Sequence, residues 1–320
     1  MSKLRIGHIG AGGFATTFIF PQLWAHAVEP VAVCDVVEER AATAQRRFGF
    51  ASAYTDFRQM CDREALDAVL VTVGGQGHYE IGRELLQRRV PLYLQKPPAA
   101  TADQTRELAE LAARHGTLCH VGFNLRYSMG LRRARKIIAG EEFGRLSLLV
   151  YRYGLVSGRT WRDAVLEQHC HAFDSVLYLG GPVAGVEVRL GLADAARSYA
   201  VIVSFAGGAV GTINFASGQT PDKEFLYFEV TGKGTFLHSH GCSEVAWLRA
   251  QPGPWWRDPQ PDYSFRRGAY GGLGNLETMG YVSDVANFLA AVKGEEPDRS
   301  PVGSTIGTMG LCEEILRQIG

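Results

Sequence analysis

The sequence predicts an α/β chain of two domains: a doubly wound parallel sheet over residues 1–123, then an α+β domain over 124–320 on an open, largely antiparallel sheet. Three observations predict it. Strand-like and helix-like stretches alternate up to about residue 122, which implies right-handed crossovers between parallel strands. After Asn124 the rhythm gives way to β-rich segments with short Gly or Asp turns. A length of 320 residues also suits two domains, each able to bury its own core.

The first strand, expected at 4–9, runs into Gly10-Ala11-Gly12-Gly13-Phe14-Ala15 and a helix near 13–27. The pattern is G-x-G-x-x-A. Gly10 permits a tight turn, Gly12 lets the backbone approach a pyrophosphate, and Ala15 lets the helix sit close on the strand. The opening N–H groups of that helix face the phosphates, aided by its dipole. A second strand at 30–34 ends in Asp35, 20 residues after Ala15, where a ribose-binding carboxylate belongs. Gly10, Gly12, Gly13, Phe14, Ala15 and Asp35 are therefore cofactor-binding candidates. Asp35 accepts from both ribose hydroxyls and repels a 2′-phosphate, while Val36 and Val37 bring no cation and Arg40 is the nearest base. NAD is expected ahead of NADP.

Further strands are expected at 67–73, 91–94 and 117–122, with helices near 36–48, 77–89 and 101–115. Asp35, Thr72 and Lys96 fall at the carboxyl ends of strands, where such sheets bind ligands. Thr101 caps its helix, with Gln104 as a capping-box partner. Lys96, one of only six lysines, is held between a buried-looking strand and Pro97-Pro98, which fix the direction of the ammonium. A solvated turn lysine fits that position equally well.

In the second domain a helix is expected at 129–139, a strand at 145–154, and a helix at 164–179 stopped by Gly180-Gly181-Pro182. Strands follow at 183–192, 199–205, 210–215, 224–231 and 235–238, with hairpin turns at Gly207-Gly208 and Gly232-Lys233-Gly234. A long ordered loop is expected over 251–275, then helices near 276–293 and 303–319. Glu167 and His171 stand four apart on one helix face, as a carboxylate and imidazole paired for acid–base work would. Such a pair more commonly makes a surface contact. His169 and His171 diverge on a helix, so no metal site is expected there or with His238 and His240.

Composition excludes other classes. With 33 basic and 33 acidic residues the formal charge is zero, and no basic stretch is interleaved with aromatics, so no nucleic acid is expected. Apolar runs such as 66–73 are too short to span a bilayer, and the N-terminus shows no leader. Six cysteines without C-x-x-C spacing fit free thiols in a cytoplasmic protein. An open sheet without covering helices calls for a homodimer or homotetramer contact through that sheet.

The order of these features resembles the glucose–fructose oxidoreductase / inositol dehydrogenase / MocA (Gfo/Idh/MocA) family of nicotinamide-dependent oxidoreductases. The residues carrying the resemblance are the glycine loop, Asp35, the strand leading to His78-Tyr79-Glu80, Gln95-Lys96-Pro97, Gly122-Phe123-Asn124-Leu125-Arg126-Tyr127, the stretch from Glu167 to Asp174, and the closing helices. The resemblance implies a Rossmann domain whose cofactor is also touched by Thr72, Val73, His78, Gln95, Lys96 and Asn124. It implies that Lys96 reaches nicotinamide and substrate oxygen, that His171 is the acid–base residue beside Glu167, and that Asp174 is structural. Asn124 and Arg126 would lie at the domain junction. The implied substrate is a sugar, sugar derivative, nucleotide-linked keto-sugar or cyclitol, with Arg126, Tyr153, Trp161, His169 and Tyr270 as pocket candidates. Three departures stand out: Gln95 replaces the usual Glu, Gly74-Gly75 replaces a proline, and His169 replaces a small residue. Gln95 and Gly74-Gly75 keep open the alternative of a catalytically idle NAD(P)-binding sensor or partner protein.

Overall fold

In a computed structural model, residues 3–154, 160–193, 196–216, 225–249, 263–266 and 273–320 are described. The chain divides into two compact units, Met1–Phe123 with Tyr281–Ile306, and Asn124–Gly280 with Gly307–Gly320.

The strands of the first unit are β1 (Leu4–Ile9), β2 (Val28–Cys34), β3 (Ser52–Tyr54), β4 (Ala68–Val71), β5 (Leu92–Gln95) and β6 (Cys119–Gly122). They form one sheet in the order β3-β2-β1-β4-β5-β6, with every pairing parallel. Chain order reverses between β1 and β4, which opens a crevice at their carboxyl ends. Strands β4, β5 and β6 are buried throughout, as a sheet covered on both faces requires. The connecting helices are α1 (Glu38–Phe48), α2 (Phe57–Arg63), α3 (Gly75–Gln87) and α4 (Ala102–His115). Thr101 Oγ1 accepts from Gln104 N at 3.1 Å, and Gln104 Oε1 accepts in turn from Ala100 N at 3.0 Å. The expected box forms, shifted by one residue at its second bond.

Two differences from expectation arise here. β3 and α2 are short enough to carry no periodic signal; β3 exists because Ala32, Val33 and Cys34 pair with Ser52, Ala53 and Tyr54. The expected helix near 13–27 is a π-helical turn, Ala15–Ile19, followed by a 3-10 turn, Phe20–Ala25. Pro21 withholds an amide from the helical ladder, so a regular α-helix cannot continue through it.

The first unit takes in residues from two separate stretches of the chain. The helix α9 (Tyr281–Val292) belongs with the parallel sheet: Val285, Phe288 and Leu289 share a core with Ile6, Val33 and Tyr93. A buried polar cluster ties the returning segment down. His120 bonds Asp284 through Nε2 (2.8 Å) and Asp298 through Nδ1 (2.7 Å), while Tyr93 OH donates to Asp284 at 2.8 Å. Burial opposes the His120 charge, but the two carboxylates outweigh it and raise the imidazole to about 9. Because these partners lie at residues 284 and 298, no local pattern announces them.

The second unit opens with α5 (Met129–Ile138), capped by Ser128. β7 (Leu148–Gly154), the one-turn α6 (Trp161–Ala164) and α7 (Cys170–Gly180) follow. Between α6 and α7 the backbone makes a second π-helical turn, Val165–His169. The strands continue as β8 (Val183–Ala193), β9 (Ala196–Phe205), β10 (Val210–Ala216), β11 (Phe225–Gly232), β12 (Thr235–His240), β13 (Glu244–Arg249) and β14 (Tyr263–Arg266). All join one sheet in the order β14-β13-β12-β11-β7-β10-β9-β8, antiparallel except for β7 beside β10. Gly208 and Gly234 take positive φ at the expected hairpin turns. β13 is an additional strand. β14 lies inside the stretch expected to be a loop, where pairing of Tyr263–Arg266 with β13 overrides a Gly/Pro-rich setting; most of 251–275 lies outside the described residues.

The expected helix at 276–293 is broken into α8 (Leu273–Thr278) and α9. Gly280 makes the break at φ +91, where a Cβ would stand 2.1 Å from the Asn124 carbonyl oxygen. α10 (Ile306–Ile319) ends the chain. Among the described residues, no helix is long and apolar enough to cross a membrane, and no group of three His, Cys, Asp or Glu is arranged to hold a metal ion.

One side chain in β1 is at odds with its setting. His8 is fully buried, neither ring nitrogen has a partner at hydrogen-bonding geometry, and its ring stands edge-on to Phe20 at 4.6 Å. Burial pushes its imidazole down to about 3, offset only in part by the backbone of Gly10. Burial likewise lowers His78 to about 4 and His169 to about 3. An unfolded chain with histidines near 6.5 binds more protons than this native state between pH 6.5 and 3, so stability falls with pH across that window. His8→Leu is expected to remove an orphaned polar group worth about 1–3 kcal/mol, partly offset by shape mismatch. Calorimetry should find a higher melting temperature at pH 7 and a shallower loss toward pH 4; an unchanged pH profile would contradict the assignment.

Candidate active site

The loop after β1 is set by how closely two backbones approach. Gly10 takes φ +93, and a Cβ there would lie 2.3 Å from the Thr72 carbonyl oxygen. Thr72 N donates to Ile9 O at 2.8 Å and Thr72 Oγ1 to Gly10 O at 2.9 Å, so the ends of β1 and β4 are stitched together. Gly10 is required by the fold itself. Gly12 and Gly13 differ: a Cβ on either meets nothing within 4 Å. Packing within the chain gives no reason for glycine at those positions, whereas a pyrophosphate lying against bare backbone does. The loop therefore fits a dinucleotide. Ala15 is buried under the first helical turn, and Phe14 is half-buried with its ring 5.0 Å from Phe18 and 5.9 Å from Tyr281.

Asp35 is buried at the end of β2 and holds the loop in place. Its Oδ2 accepts from Ala11 N at 2.7 Å and its Oδ1 from Val37 N at 2.9 Å. Each oxygen keeps a further lone pair for a ligand hydroxyl. A cavity of about 500 Å³ opens beside it, lined by Gly10, Gly12, Asp35, Val36, Arg40, Phe57, Arg58 and Thr72 among others. Phe57 and Arg58 come from the unforeseen α2. Their only advance signal was the N-cap Asp56, whose Oδ1 accepts from Arg58 N at 2.9 Å.

At the end of β4, Val73 is exposed and His78 is wholly buried. His78 accepts from Val73 N through Nε2 (3.0 Å) and donates through Nδ1 to Pro97 O (2.8 Å). Both nitrogens are engaged, and the ring braces the loop at 73–74 against the Lys96-Pro97 turn. Gln95 Oε1 accepts from Lys96 N at 2.8 Å, while its buried Nε2 has no partner. Lys96 is half-buried at the carboxyl end of β5, with a cis bond to Pro97.

In the second unit Arg126 and Asn124 are both buried. Arg126 is buried and forks onto Asp174, Nε to Oδ2 at 2.7 Å and Nη2 to Oδ1 at 2.5 Å, and Thr308 Oγ1 donates to the same carboxylate at 3.0 Å. Arg126 is a strut between helices, and Asp174 is its partner in that role. Asn124 is also buried; its amide nitrogen donates to Met279 O at 2.9 Å, while its Oδ1 has no partner among the described residues. Tyr153, Trp161 and His169 do come together, through two residues the sequence had not singled out. His169 shares a 2.6 Å hydrogen bond with Tyr199 OH and stacks on Phe215 at 4.3 Å; Trp161 meets Tyr199 edge-on, and Tyr153 meets both His169 and Phe215. Alternating aromatics in β9 and β10 were the available signal. His169 and Tyr153 are buried, so they form the wall of this unit while Trp161 keeps some exposure. Tyr270 lies outside the described residues.

Glu167 is exposed and His171 half-buried, on the two sides of the junction between the π turn and α7. Both π-helical turns thus fall where function was expected, one behind the glycine loop and one through Glu167.

A parallel six-stranded sheet with an open glycine turn and a carboxylate at its switch point defines a dinucleotide-binding α/β protein. Residues 4–123 match the family described as an oxidoreductase family with an NAD-binding Rossmann fold. That match spans the parallel sheet of the first unit and stops where the second unit begins. Among curated proteins the chain is similar to inositol 2-dehydrogenase of Salmonella typhimurium, 27% identical over 158 residues (48% of this chain, 47% of that protein). The inositol 2-dehydrogenase of Burkholderia multivorans is 29% identical over 184 residues (56% and 55%). The chain spans about half the length of the curated relatives it matches. In fold it resembles a dehydrogenase from Chromobacterium violaceum (TM-score 0.89, 20% identity, 99% of this chain and 95% of that one). It also resembles levoglucosan dehydrogenase in complex with NADH and L-sorbose (TM-score 0.84, 20% identity, 99% and 97%).

The two classes of glycine make opposite predictions. Gly12→Val should leave the melting temperature nearly unchanged and abolish NADH binding by fluorescence titration. Gly10→Ala should lower the melting temperature outright, since its Cβ meets backbone. Equal effects on folding would remove the ligand-facing role of Gly12.

Proposed function

We propose that the chain is a nicotinamide-dependent oxidoreductase that moves a hydride between NAD(H) and a secondary alcohol or ketone of a sugar, sugar derivative or cyclitol. The observation that carries this reading is the carboxyl edge of the first sheet. There an open glycine loop, the carboxylate of Asp35 and the half-buried Lys96 all lie at ends of parallel strands of one sheet. The names of the relatives, inositol 2-dehydrogenase and levoglucosan dehydrogenase, support a polyol substrate.

When bound, the nicotinamide supplies the two-electron chemistry, and the protein supplies position and proton transfer. In the oxidising direction His171 takes the hydroxyl proton, with Glu167 favouring the imidazolium that forms. Lys96, braced by the Gln95 amide and by Pro97, stabilises negative charge developing on the substrate oxygen. Reduction uses the same groups in reverse. NAD is preferred to NADP because Asp35 faces the cavity beside the loop, where a 2′-phosphate would be repelled; Arg40 and Arg58 line the same cavity with Asp56 between them in charge. The active form is a homodimer or homotetramer through the outer face of the eight-stranded sheet, where Leu148, Ile202 and Val210 are exposed on one side.

The test mixes the protein with NAD or NADP and a panel of sugars, sugar derivatives and cyclitols, following nicotinamide absorbance. Lys96→Ala should lower turnover at least about a hundredfold while NADH affinity changes less than about threefold. Turnover that survives the substitution would remove Lys96 from the chemistry. Silence across the panel in both directions, with NADH bound, would favour the idle sensor. Light scattering across a dilution series should find a dimer or tetramer; a monomer throughout would end the assembly proposal.

A further inference from the structure

The largest described cavity of the first unit, about 660 Å³, is not the one beside Asp35. It lies at the amino-terminal edge of the parallel sheet, next to Lys3 ahead of β1, Val28 at the start of β2, and the Phe48-Gly49 end of α1. None of its lining residues lines the cavity at Asp35, which lies at the opposite, carboxyl edge. Its size falls inside the range of about 300–1,000 Å³ usual for small-molecule sites.

Its walls and rim have distinct chemistry. Phe20, Trp24 and Phe48 supply three aromatic rings, with Pro21, Leu23 and Pro30 adding apolar surface. Trp24 is 80% exposed and, among the described residues, touches no other ring. Tryptophan left in water at this level forgoes the burial that its large apolar area would provide. The rim carries Lys3 and Arg47, both exposed and, among the described residues, neither in an ion pair, and no carboxylate is among the residues that line the cavity. The Arg47 guanidinium lies over the Phe48 ring at 5.1 Å, so the cation is held beside the aromatic wall. His26 bonds Gln22 at 3.3 Å, and burial pushes its imidazole below the usual histidine range.

Aromatic walls with unpaired cations at the rim select for a flat apolar body that ends in negative charge. We propose that this cavity is a second small-molecule site that binds an aromatic carboxylate, its ring against Trp24 and Phe48 and its carboxylate on Arg47 and Lys3. The site is independent of the nicotinamide reading, because it shares no residue with it.

The test uses 1-naphthoate and its neutral counterpart 1-naphthamide as probes, with the full-length chain saturated with NADH. Ligand-observed NMR and calorimetry measure both. Naphthoate should bind in the presence of NADH, and its affinity should fall roughly tenfold in Arg47→Glu and in Trp24→Ala, with naphthamide weaker by a similar factor. Both substituted side chains are exposed, and an unchanged melting temperature verifies the fold. Absence of naphthoate binding, its displacement by NADH, or equal affinity in wild type and both variants overturns the site. Equal binding of amide and carboxylate overturns its preference for an anion. A chain that fails to bind NADH at all would refute the proposed function, while the comparison of the variants would still read this cavity.

Discussion

The close approach of backbone at Gly10 to backbone at Thr72 is the constraint on which the first unit depends. It joins the ends of β1 and β4, the two strands between which chain order reverses. A side chain at residue 10 would force those strand ends apart. With the ends joined, the N–H of Ala11 reaches Asp35 on β2, so three strands and one loop are fixed by two hydrogen bonds and a missing Cβ. Gly12 and Gly13 are then presented bare on a rigid base. Rigidity beneath an open surface is what a phosphate-binding turn needs.

Buried polar side chains play a parallel part elsewhere. His78 ties two loop ends together through its two ring nitrogens, and His120 joins a strand to residues more than 160 positions away. In the second unit the Arg126–Asp174 fork, joined by Thr308, holds the first turn after residue 123 to α7 and α10. Each cluster is satisfied on several sides, which is the condition under which buried charge can be tolerated. His8 lacks such partners. Nothing in the structure explains why it is a histidine.

Most of the architecture was legible because it rests on short-range rules. Period-two and helical patterns, glycines at turns and a capping threonine placed the strands, the hairpins and the glycine loop to within a few residues. The missed elements are those that a local pattern cannot carry. β3 has three residues and exists by pairing; β14 sits in a Gly/Pro-rich stretch and exists by pairing; α9 ends one unit's excursion and returns to the other's core. The turn at Pro21 and the break at Gly280 were visible as residues, but their consequences were not.

The sequence by itself determined the class of fold, the glycine loop with Asp35, and the positions of Lys96, Glu167 and His171 in their elements. These follow from residue type and spacing, because backbone conformation and hydrophobic periodicity are local. Tertiary structure alone decided which partners the buried polar side chains meet. Arg126, Asn124 and His78 have the chemistry of binding residues, and each makes at least one hydrogen bond to a partner that only folding supplies. Tyr199 and Phe215 joined the candidate wall in the same way, by strand pairing across β9 and β10. A hydrogen-bonding group binds whatever reaches it first in a buried setting, and only the folded chain fixes what that is.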